Sequence, residues 1–327
     1  MSEYDYHERM TQIQDTSREM RIDPDSFAGG YFRNAVYRHW DPYSDIPEAL
    51  LEQDLQRIID SDIEYEAFEA FRASVAKFGA GEEAVTEDLA PLMLVLDDIN
   101  DQMFLSTQIY EEAKHTQFFD RYWRDVINPA AEAKGFEVTN PTDQRYFNDD
   151  YIELFDRTEE AMHRLLTENT PTNRAKAYCH YHLVVESVLA QTGYWGLQAN
   201  FSETGPERWN DENEQLVLEG LIEGITRIRS DEGRHVGFGM HKVQRLIAEE
   251  NVDPDVVQDV LTELLPLVAG TVQSKFDTGS DPTPLIEYAQ EKLTRRIEII
   301  TNAEAELPPV EELVKIEGAE DPAPADD

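Results

Sequence analysis

A single cysteine, Cys179, leaves this 327-residue chain without an intramolecular disulfide framework or a thiolate metal cluster. Long apolar runs are missing as well. No window approaches the roughly 18 uninterrupted apolar residues that a membrane span requires. The opening MSEYDYHERM is polar and acidic, with no basic stretch followed by an apolar one, so no secretory signal is read there and the expected compartment is the cytoplasm. Basic residues are scarce: 28 Lys and Arg stand against 68 Asp and Glu, a net charge of −40. Such a balance repels nucleic acid and anionic membranes. The acids run along the whole chain, which points to a surface adapted to high salt, where self-repulsion is screened within about 3 Å at 1 M. That reading says where the protein works and not what it does.

An apolar fraction of 40% is enough for a sizeable core. Strand signals are weak, and apolar residues recur at three- and four-residue spacing. The pattern predicts an all-α fold in one domain over 26–306, preceded by a flexible arm (1–25) and followed by a Pro-rich, acidic disordered tail (307–327). An irregular aromatic lead-in spans Tyr31–Ile46. Helices are predicted over Pro47–Phe78, from Glu82 after the Gly79-Ala80-Gly81 interruption, and over Asn100–Ala133, Asp149–Glu168, Asn173–Phe201, Glu212–Glu250, Pro254–Lys275 and Pro284–Glu304. No tandem repeat is found.

Two motifs carry chemistry: Glu112-Ala-Lys-His115 and Glu232-Gly-Arg-His235. A Glu and a His three residues apart share a helix face and can reach one ion. Ahead of each pair, on a preceding helix, stands a further acid, Glu82 and Glu186. The order Glu, then Glu-x-x-His, occurs twice, as in di-iron and di-manganese carboxylate bundles. Hard carboxylates with one imidazole per metal suit iron or manganese.

In a chain this rich in Glu, Glu-x-x-His also arises by chance, and a third instance is Glu160-Ala-Met-His163. Register separates them. Glu112 and His115 fall on the stripe of Phe104, Leu105, Ile109 and Phe119, and Glu232 and His235 on that of Leu221, Ile225, Ile228 and Val236. Glu82 aligns with Val75, Phe78, Val85 and Leu89, and Glu186 with Cys179, Leu183, Leu189 and Ala190. Glu160 and His163 align with Glu153, Asp156, Arg157 and Thr167, a wet face. One Glu on an apolar stripe is ordinary as a snorkelling or paired residue. Six Glu and His in this order are costly to bury unless they hold metal.

The segments GEEAVTEDLAPL (81–92), YEEAKHTQFF (110–119), YHLVVESVLAQTGYW (181–195) and SDEGRHVGFG (230–239) resemble the ligand-binding oxidases related to the ribonucleotide reductase small subunit. The resemblance runs from about Trp40 to Ala303. It implies a ferritin-like four-helix bundle with additional helices, a homodimer, and a mixed manganese–iron centre, with di-iron as the alternative. A long-chain fatty acid would occupy a tunnel beside the metals, dioxygen would be activated there, and electrons would come from an unidentified donor. Site one would be Glu82, Glu112 and His115; site two, Glu186, Glu232 and His235. It further implies an ether cross-link between Val85 and Tyr181, with Tyr194 counted among the reacting pocket residues. Val85 lies three residues after Glu82 and shares its helix face. Tyr181 rests on the resemblance, because an offset of five from Glu186 points it partly aside on an α-helix. Phe78, Phe104, Phe118, Phe119, Leu189 and Tyr194 are expected to wall the apolar pocket.

The rival within this reading is a radical-storing reductase small subunit. Most of those carry a Tyr four residues after the first metal His, where this chain has Phe119; one branch lacks this Tyr and uses manganese and iron, so Phe119 weakens the rival without ending it. They also need an aromatic relay near the C-terminus, and after Tyr288 no Tyr, Trp or Phe follows. A third reading, iron storage, fits the long lead-in and extra helices poorly.

Overall fold

A computed structural model describes residues 21–203, 216–273, 276, 281–302 and 305–316. Among these, helices are the only regular elements. Chain order is α1 (Phe27–Tyr37), α2 (Glu48–Asp60), α3 (Tyr65–Val95), α4 (Ile99–Tyr122), a π-helical turn (Trp123–Ile127), α5 (Asn128–Lys134), α6 (Asp149–Arg164), α7 (Pro171–Tyr178), a π-helix (Cys179–Ala190), α8 (Gln191–Phe201), α9 (Glu219–Glu250), α10 (Pro254–Thr271), α11 (Thr283–Ile300) and a short α12 (Val310–Leu313).

Local chemistry accounts for several boundaries. Asp98, Asn148, Thr170 and Asp253 cap α4, α6, α7 and α10 by accepting backbone N–H groups, and Pro171 and Pro254 occupy first-turn positions whose N–H would be unused. Gly135 ends α5 in the left-handed region, where a side chain would be strained.

Three expectations are corrected. Part of the lead-in is helical: α1 starts at Phe27, capped by Ser26. The first long helix breaks at Ser61–Glu64, and the Gly79-Ala80-Gly81 segment does not interrupt α3. There the missing side chains let helices approach, since a Cβ at Gly79 would lie 3.2 Å from Phe119 and one at Gly81 3.2 Å from Phe155. From Leu307 the chain is not loose throughout. Leu313, Val314 and Ile316 are buried, and Val310 lies so close to α9 that a Cβ at Gly233 would meet its side chain at 2.5 Å. The Leu313 and Val314 carbonyls accept from Arg296 and Arg229. Residues 1–20 of the expected arm, 317–327 of the tail and the predicted start of the Glu212 helix lie outside the described residues.

The bundle consists of α3, α4, the π-helix running into α8, and α9, with α3 and α4 packed along each other most extensively. Its apolar interior falls into two clusters. On α4 one ends at Leu105 and the other begins at Phe118; on α9 one ends at Ile228 and the other begins at Val236. The polar side chains between them form one layer, with hydrocarbon on either side of it along the bundle.

Candidate metal centre

That layer holds all six sequence-selected ligands. Ligand atoms of Glu82, Glu112, His115 and Glu232 lie within 4.8 Å of one another, and so do those of Glu112, Glu186, Glu232 and His235. All six side chains are buried. Glu112 and Glu232 are common to both groups and can bridge. Glu160 and His163 are exposed on α6, where Arg164 pairs with Glu160 at 2.6 Å, so the third Glu-x-x-His is a surface feature.

Both imidazoles are aimed by acids from the opposite helix. His115 Nε2 is 3.1 Å from Asp231 of α9, and His235 Nε2 is 2.9 Å from Glu111 of α4. Each Nε2–H therefore donates outward, which leaves Nδ1 as the inward lone pair. Arg234 joins the two acids, and Asp231 also accepts from Trp40 Nε1 at 2.8 Å and pairs with Lys114 at 2.8 Å. Glu111, Asp231, Arg234, Trp40 and Lys114 do not stand out on the helical stripes. Their signal was in the text: the acid immediately before each ligand Glu, Glu111 and Asp231, serves the His of the other motif.

The interior of the layer fits two cations. His115 Nδ1 lies 3.3 Å from Glu112, 3.4 Å from Glu82 and 3.5 Å from Glu232, yet it makes a hydrogen bond to none of them. His235 Nδ1, Glu186 Oε2 and Glu232 Oε2 are likewise buried without a hydrogen-bond partner. Four carboxylates and two neutral imidazoles carry a charge of −4, which two divalent ions would cancel. Burial pushes Glu82 and Glu232 above the usual carboxylate range and Glu186 up to about 8. Burial acts the same way on Glu112, but His235 and His115 outweigh it and hold that carboxyl low. Both imidazoles are held well above their ordinary value, against burial, by the carboxylates around them. Protons thus stand where cations would. Oxygen and imidazole donors in this ratio suit iron or manganese.

Two phenols face the layer. Tyr181 donates to Glu112 Oε1 at 2.8 Å, and the Tyr194 hydroxyl lies 3.4 Å from both Glu82 and Glu232. The π-helix explains Tyr181. Its i→i+5 repeat brings Tyr181 onto the face of Glu186, where an α-helix would turn it aside.

A cavity of about 1650 Å³ opens from this layer to the surface. Val85, Tyr181 and the four ligand carboxylates line its inner end. Phe78 and Leu189 line its wall as expected, but Phe104, Phe118, Phe119 and Tyr194 do not. These four are buried core residues; Phe119 stacks on Phe78 at 5.5 Å and Phe104 packs on Phe238 at 4.5 Å.

No helix among the described residues is long and apolar enough to cross a membrane. No protein-family model matches the chain. Solved structures do. A tyrosine-to-phenylalanine mutant of an R2-like ligand-binding oxidase with aerobically reconstituted Mn/Fe cofactor shares 27% identity, with a TM-score of 0.69, over 85% of this chain and 94% of that one. A valine-to-leucine mutant with the same cofactor gives 27% and 0.70 over the same shares, and a glutamate-to-aspartate mutant 26% and 0.69. The chain is thus similar to R2-like ligand-binding oxidases across most of its length, as the four motifs implied.

Proposed function

We propose that this protein, being similar to the R2-like ligand-binding oxidases over 85% of its length, is a dioxygen-activating dimetal oxidase. The observation that carries the reading is the pair of overlapping ligand groups at the inner end of a large cavity. Glu82, Glu112 and His115 would hold one metal and Glu186, Glu232 and His235 the other, manganese and iron in the heterodinuclear form. When bound, that pair supplies the redox chemistry that reduces dioxygen and removes hydrogen from an unactivated C–H bond.

The chain's own residues define what is oxidised. The two apolar clusters flank the layer, and a molecule filling the cavity would exclude water from its open side. At about 1650 Å³ the cavity exceeds the ~300–1,000 Å³ of ordinary ligand pockets. Its capacity and its Phe78 and Leu189 wall favour a long apolar molecule such as a fatty acid. Tyr181 and Val85 border the same inner end. Loss of the Tyr181 O–H and the tertiary Val85 Cβ–H, with formation of a Cβ–O bond, delivers two electrons and two protons to dioxygen. The product is an ether cross-link. Homodimerisation, an external electron donor and a cytoplasmic setting complete the reading.

The radical-storing alternative has less support. Phe119 carries no phenol and sits buried against Phe78, which leaves only a radical-generating subunit of the kind that lacks the usual tyrosine.

Mass spectrometry of digests tests the oxidase reading. Protein loaded anaerobically with manganese and iron and then exposed to air should give joined Val85 and Tyr181 peptides about 2 Da lighter than their sum. Anaerobic protein and Tyr181→Phe should give none. Separate peptides in fully metallated, oxygen-exposed protein would contradict it.

A further inference from the structure

One buried amide beside the metal layer has no part in the reading above. Gln108 sits on α4 one turn before Glu112, on the same face and fully buried. Its Nε2 donates to Glu186 Oε1 at 2.8 Å and lies 3.5 Å from the Tyr181 hydroxyl. Its Oε1 lies 3.3 Å from His182 Nε2.

Chemistry fixes the direction of this chain. As a metal ligand Glu186 is ionised and only accepts, so the NH₂ end of the amide must face it. The carbonyl end must then face His182, whose Nε2 must carry the proton. Burial holds His182 well below its ordinary pKa, so the ring is neutral and the link is a single N–H···O bond. The ring is itself fixed. The π-helix turns it towards α9, where a Cβ at Gly239 would lie 2.2 Å from the His182 Cβ, and Tyr178 and Phe238 flank it at 5.3 and 6.0 Å. With Glu186 Oε1 engaged by Gln108, Oε2 is left without a hydrogen-bond partner. Tyr181 meanwhile sits between Gln108 and Glu112.

We propose that Gln108, oriented by His182, is a positioning residue that presents Glu186 to the second metal and keeps the Tyr181 hydroxyl at the edge of the layer. This rests on the two-metal reading of the site. A glutamine suits the task because it offers two N–H groups to an anion and an acceptor to a neutral imidazole without adding charge to a layer that already holds four carboxylates. Outer partners of this kind typically alter metal affinity about 10- to 100-fold. Because Gln108 touches Glu186 and no other ligand of the second group, the effect should fall on one ion of the two.

The test is a titration of the full chain with Mn²⁺ alone under anaerobic conditions, read by the electron paramagnetic resonance signal of free Mn²⁺. Wild type should bind two ions. Gln108→Leu should bind the first with unchanged affinity and the second about 10- to 100-fold more weakly. His182→Phe should weaken the same ion, because it frees the amide to turn. Gln198→Leu, which removes a buried glutamine of α8 outside the layer, should titrate like wild type. Wild-type affinity for both ions in Gln108→Leu and His182→Phe would overturn the proposal. So would equal weakening of both ions with a lower melting temperature, the mark of a merely structural role. If wild type itself failed to bind two ions, the two-metal reading would fall first.

Discussion

Asp54 is a buried carboxylate whose titration should be visible in folding stability. It projects from α2 onto the start of α9, the helix that carries Glu232 and His235. It accepts from the Leu221 N–H at 2.9 Å and the Tyr122 hydroxyl at 3.0 Å, capping α9 from outside the helix. Gly220 makes room for it, since a Cβ there would lie 2.9 Å from Asp54 Oδ2. These bonds favour the charged form, but burial wins and pushes the pKa from 3.8 up to about 6. The folded state therefore binds a proton more tightly than the unfolded one. The stability this contributes is fully present below about pH 4 and is lost as pH rises through about 6, to a total of ~3 kcal/mol. Asp54→Asn keeps an acceptor for Leu221 and removes the titration. Urea unfolding of both proteins between pH 4.5 and 7.5 would cancel the background of a −40 chain by difference. The wild type should lose about 2 kcal/mol relative to Asp54→Asn across that range. A difference that stays constant with pH would refute the claim that burial outweighs the hydrogen bonds. Asp54→Ala, which leaves Tyr122 and Leu221 without an acceptor, should be destabilised at every pH by ~1–3 kcal/mol per orphaned group.

Two further outcomes follow from register and charge. Glu112→Ala, His115→Ala, Glu232→Ala and His235→Ala should each lower bound metal measured by elemental analysis, whereas Glu160→Ala and His163→Ala, on exposed α6 positions, should leave it unchanged; the reverse pattern would break the assignment. The melting temperature should rise between low and molar salt, because a net charge of −40 repels itself when unscreened, and a salt-independent transition would remove the charge argument.

Most of the ligand set was legible because three of the bundle helices, α3, α4 and α9, keep a period that places Glu82, Glu112, His115, Glu232 and His235 on apolar stripes, where buried acids are conspicuous. What escaped depended on features without a local sequence sign. Tyr181 was misjudged on helical geometry because an α repeat was assumed over Cys179–Ala190, where the backbone is π-helical and a five-residue offset aligns. Gly79 and Gly81 read as a break because their role is tertiary, the close approach of α3 to Phe119 and Phe155. In the tail, Leu313, Val314 and Ile316 are too few to outweigh the surrounding Pro and Glu, yet all three are buried. Pocket walls were predicted from proximity to the ligands in sequence. Phe118 and Phe119 flank His115 closely but turn into the apolar cluster beside the layer.

On the reading proposed here, one layer of six side chains holds two different metals. Crystals grown from protein loaded with manganese and iron, with anomalous data collected above and below the absorption edge of each metal, address it directly. Two anomalous peaks are expected, one among Glu82, Glu112 and His115 and one among Glu186, Glu232 and His235, with manganese and iron separated between them. A single peak, or peaks bound elsewhere with this layer empty, would contradict it.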